Sequence, residues 1–132
     1  MKKLFFILML MALPVISNSQ PLFGYGPADI RQKIPNVEWN YGKWGSDKEC
    51  LTMNYISDNM SVIYFFDKNN LSVITTIYPT TQGMLQGIIE TYNKRYVIVD
   101  SYNWKFYDSG VLYKCSLKQT DDNGYFFLWT VE

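Results

Sequence analysis

Histidine does not occur in this chain. Its absence takes away the side chain that most often serves as general base, nucleophile activator or metal ligand near neutral pH. Runs of like charge are missing too: 12 basic residues face 12 acidic ones, scattered along the chain. A groove binder needs a basic footprint, so no nucleic-acid partner is expected. Cysteine is scarce, with only Cys50 and Cys115. Past the first residues no long apolar run occurs, so no transmembrane segment is expected there, since a span takes roughly 20 apolar residues.

What is present starts with Lys2 and Lys3, an apolar stretch over 4–13, Pro14 and the polar Ser17-Asn18-Ser19. A basic start, an apolar centre and small residues three and one positions before a cut follow the order of a secretory signal peptide. Residues 1–19 are expected to be a cleaved signal, leaving 132 − 19 = 113 residues (20–132) as a single α+β domain, exported to the periplasm or the outside. No cysteine stands at the cut, so the attachment residue of a lipid anchor is lacking. In an oxidising compartment Cys50 and Cys115 can form a disulfide, while two small buried apolar side chains fit the same spacing equally well.

Aromatic residues make up 17% of the chain, with 11 Tyr and 4 Trp, which favours strands around a dense core. Pro27, Asp29 and the Ile30/Ile34 pair, closed by Pro35, predict a helix of about two turns. Residues 36–49 read as a short strand and then a loop. Three strand-like runs follow between Cys50 and Tyr78, and the middle one, with Val62, Ile63, Tyr64, Phe65 and Phe66, is apolar on both sides. It is expected inside the sheet, covered at least in part on each face.

Thr80 or Thr81 should cap a second helix, whose stripe Met84, Leu85, Ile88, Ile89 and Tyr92 faces a core. Gly83 and Gly87 weaken that helix, and a close approach to the sheet would explain them. Further strands follow from Tyr96, with a hairpin at Asp121-Asp122-Asn123-Gly124 in which Gly124 is suited to positive φ. The fold class read from this order is α+β: an antiparallel sheet of about seven strands in two meanders, with two helices packed on one face.

Gly26-Pro27-Ala28-Asp29-Ile30, the Tyr64-Phe65-Phe66 strand and the strand over 71–78 together form a helix-then-meander unit. This unit resembles the building block of small exported bacterial proteins of the beta-lactamase-inhibitor-like fold and of the small outer-membrane assembly lipoproteins. The resemblance spans the first half of the mature chain and departs from the lipoproteins in lacking their lipid-bearing cysteine. It implies a binding module.

Catalytic patterns are weak. Most acids sit at turns (Asp58, Asp67, Asp108, Asp121, Asp122), where Asp bonds its own backbone. A carboxylate-dependent hydrolase of envelope polysaccharide would need two acids in one cleft, with Glu38, Glu49 and Asp100 as candidates. No serine elbow, phosphate loop or calcium loop is recognisable, and neither a metal site nor a cofactor is expected. The remaining candidates are aromatic: Trp39, Tyr41 and Trp44 mixed with Gly and Asn in an expected loop, and Tyr102 with Trp104. They would bind a protein or an envelope glycan if exposed, and cap the core if not. The expectation is a non-catalytic binding module of the cell envelope that recognises its partner through a sheet face or the Trp39–Trp44 loop, with a secreted enzyme inhibitor or the hydrolase as alternatives.

Overall fold

The computed structural model describes residues 22–131, so the expected signal over 1–19 lies outside the described residues. Helix α1 spans Pro27–Lys33, with proline in its first turn, Asp29 beside it and Pro35 just past its end. Strands β1 (Asn40–Trp44), β2 (Cys50–Ile56), β3 (Met60–Phe66) and β4 (Ser72–Pro79) follow, then helix α2 (Gln82–Arg95) and strands β5 (Val97–Asp100), β6 (Asn103–Asp108), β7 (Val111–Gln119) and β8 (Tyr125–Val131). All eight strands form one antiparallel sheet in the order β1-β2-β3-β4-β8-β7-β6-β5. There are eight rather than about seven, and between β5 and β6 the Asp100 carboxylate accepts the Tyr102 N–H at 2.8 Å and turns the chain.

Alternation sorts the side chains onto two faces. On one, Tyr55 faces Val62, Val62 faces Ile77, Ile77 faces Phe127, and Phe127 faces Leu117. One row along, Met53, Tyr64, Thr75, Trp129, Cys115 and Trp104 run across six strands. Both helices send buried side chains into this same cluster, Ile30 from α1 and Leu85, Ile88 and Tyr92 from α2. Tyr92 is its hub, with Trp104, Phe127 and Trp129 set edge-on at 5.7, 5.2 and 5.3 Å. Its hydroxyl accepts the Trp129 indole N–H at 3.0 Å.

Thr81 caps α2 by accepting the Met84 N–H at 3.1 Å. The glycines of α2 do not mark a close approach: a Cβ on Gly83 or Gly87 would meet nothing within 4 Å. In the last hairpin the positive φ falls on Asn123, at 66°, rather than on Gly124. Gly124 answers a different need, because a Cβ there would lie 2.9 Å from the Thr120 hydroxyl oxygen.

The cysteines do not bridge. Both are free and buried. Cys50 shares its face with Thr52 and Phe65, whereas Cys115 lies opposite Trp129 on the helix-covered face. Four strand spacings also separate β2 from β7, roughly 19 Å at the usual spacing, against about 4.4–6.8 Å between the Cα atoms of a disulfide.

Candidate binding site

The segment with Trp39, Tyr41 and Trp44 is mostly edge strand β1 rather than a loop, and alternation divides its rings. Trp39 folds onto the core, edge-on to Tyr55 at 5.1 Å and 6.1 Å from Tyr64. Trp44 lies on the opposite face, edge-on to Phe65 at 5.4 Å, with its indole N–H donating to the Phe66 carbonyl at 2.8 Å. Tyr41, 54% exposed, accepts a hydrogen bond from Arg31 at 3.0 Å. The three rings therefore make no common patch. The second group is divided as well: Tyr102 is 61% exposed, but Trp104 is 1% exposed and donates to Asn93 at 2.8 Å.

Two of the three candidate carboxylates are engaged by other partners. Glu49 pairs with Lys68 at 3.1 Å. Hydrogen bonds from the Tyr102 backbone and the Asn103 side chain hold the Asp100 carboxyl below its usual range. Among the described residues no group of three or more His, Cys, Asp or Glu could hold a metal ion.

Two other features stand out. The first is the sheet face away from the helices. Phe65 faces Ile74, Ile63 faces Thr76, and Thr76 faces Leu128. Tyr78 stacks on Phe126 at 5.2 Å. With Trp44, these apolar side chains form a half-buried band across the middle of the sheet, outside the core cluster. No helix covers this face among the described residues. Strand β3 is thus buried on one side and half-buried on the other, where the Trp44 ring covers Phe65. Beyond the band, β6 and β7 place Lys105, Lys114 and Lys118 on the same face, and the acid that these strand residues bring there is Asp100, at the far edge.

The second feature is a cleft of about 570 Å³ on the helix-covered side. Its wall starts with residues 22–25, stitched to β4 by hydrogen bonds from Gly24 N–H to the Ser72 carbonyl and from Ser72 N–H to the Tyr25 carbonyl, both 3.0 Å. Gly24, at φ 77°, makes the bend that only glycine takes readily. Phe23 then stacks on Tyr113 at 5.0 Å, Tyr113 on Phe106 at 4.7 Å and Phe106 on Tyr96 at 4.9 Å. Lys33, the last residue of α1, sits 4.7 Å over the Tyr25 ring, and Arg95, the last of α2, lines the same cleft with a single carboxylate, Asp108. Burial raises the Tyr96 phenol to about 12, so its hydroxyl stays protonated.

Sequence reasoning offered a sheet face as a docking surface without saying which one, and it missed the cleft. The open face was signalled by the two-sided apolar pattern of β3 and β8, whereas the cleft joins residues from five separate stretches of chain and leaves no local signal. The chain matches no family model, and no curated protein or solved structure matches it at a significant level.

Proposed function

We propose that this chain is an exported, non-catalytic binding module of the bacterial cell envelope, and that a partner protein docks on the open face of its sheet. The observation that carries this reading is the half-buried apolar band of Trp44, Ile63, Phe65, Ile74, Tyr78, Phe126 and Leu128 on a face without a helix. A contiguous apolar band left part-exposed on a face that no helix covers favours a use for it. The partner's chemistry follows from the rim: Lys105 and Lys118 flank the band, which favours an apolar surface bordered by acidic side chains. The pairing of Glu49 with Lys68, the engagement of Asp100 in its own turn and the lack of histidine argue against the hydrolase. Export rests on the pattern of residues 1–19, and the helix-then-meander resemblance belongs to the same reading.

Reversing two rim charges, Lys105→Glu with Lys118→Glu, tests it. Both side chains leave the core, so stability should change by no more than about 0.5 kcal/mol. Binding of the partner isolated from the native envelope should weaken and lose its salt dependence. Unchanged binding by the reversed protein would rule out this face as the docking surface.

A further inference from the structure

The cleft on the helix side has a chemistry of its own. Phe106 lies between Tyr96 and Tyr113, and Tyr113 lies between Phe106 and Phe23. Both faces of these two inner rings are covered by other rings. What they offer the cleft is their edges, which carry the positive part of the ring quadrupole. Lys33 and Arg95 add full positive charge against the single carboxylate of Asp108. Cations at helix C-termini complement the helix dipole, but the dipole does not require two helices to end with their cations lining one cleft. At about 570 Å³ the space suits a small organic molecule, for which pockets of about 300–1,000 Å³ are usual.

We propose that this cleft binds a ring-bearing organic anion, its acid group met by Lys33 and Arg95 and its apolar body laid against the edges of Phe106 and Tyr113. The site lies on the opposite side of the sheet from the docking face, so the two readings stand or fall separately.

Fluorescence titration of the full processed protein with anilinonaphthalene sulfonate, and with its uncharged parent phenylnaphthylamine, tests the proposal. The sulfonate should bind about tenfold or more tightly than the neutral probe. The double variant Lys33→Gln/Arg95→Gln should lose that preference while its thermal unfolding stays the same, because both side chains are exposed. Lys105→Gln, on the other face, should keep it. Ring-proton NMR should place the bound sulfonate at Phe106 and Tyr113. Equal affinity for the two probes, a preference that survives in the double variant, or shifts confined to Phe65 and Phe126 would overturn the proposal.

Discussion

Thr75→Val should make this protein more stable. Thr75 is fully buried in β4, between Tyr64 on β3 and Trp129 on β8. Its hydroxyl has no hydrogen-bond partner, and neither does the hydroxyl of Tyr64 directly opposite. Burial pushes the Tyr64 phenol well above its ordinary value, as expected for a group that water does not reach. A buried hydroxyl left without a partner costs roughly 1–3 kcal/mol. Valine has nearly the same shape, so the exchange leaves no cavity, and it suits a strand at least as well. The unfolding free energy should therefore rise by about 1–3 kcal/mol, which for a domain of this size raises Tm by about 4 °C or more per kcal/mol. Urea unfolding followed by tryptophan fluorescence measures it, with an unchanged m-value as the check on two-state behaviour. Tyr64→Phe should act in the same direction, and the two gains should add because no hydrogen bond links the hydroxyls. A loss of stability in Thr75→Val would refute the reasoning, since it would mean that the hydroxyl is satisfied in the folded protein.

Gly87→Ala should raise the unfolding free energy by about 1 kcal/mol, because the new methyl meets nothing within 4 Å and the helix gains propensity; calorimetry showing a lower Tm would contradict this. Reductant should leave Tm unchanged, and mass spectrometry after alkylation of the unfolded, unreduced protein should show both Cys50 and Cys115 modified. Tyr55, Tyr64 and Tyr96 all have phenols raised by burial. A folded pKa above the unfolded one gives stability that is complete below pH about 10, the unfolded value, and is lost as pH rises through the folded values. Phenolate absorbance from these three residues should therefore appear only together with alkaline unfolding, and free titration near pH 10 in the folded state would argue against their burial.

Much of the fold was legible because its signals are local. Proline at each end of α1, the threonine cap and apolar stripe of α2 and the asparagine-rich turns each act within a few residues. Pairing between distant strands is another matter. That β4 lies beside β8 depends on the whole sheet, and so does the separation of Cys50 from Cys115. The aromatic segment misled for a related reason. Gly42 suggests a loop, yet it pairs with Thr52 in β1, where a Cβ would come within 2.8 Å of the Thr52 hydroxyl oxygen. Once that segment is a strand, Trp39 and Trp44 must point to opposite faces. Composition showed that aromatics were abundant, but only the packing shows that Phe106 and Tyr113 use their faces on each other and leave their edges to the cleft.

In-cell photo-crosslinking tests the docking reading most directly. A benzoylphenylalanine placed at Phe126 or Phe65 reports from the open face, and one placed at Glu90, exposed on α2, reports from the helix side. Illumination should yield one defined adduct with a partner protein from the open-face positions and none from Glu90, and the adduct should disappear when Lys105 and Lys118 are reversed to Glu. Adducts from Glu90 alone, or an open-face adduct that survives the charge reversal, would contradict the assignment of the sheet face as the binding surface.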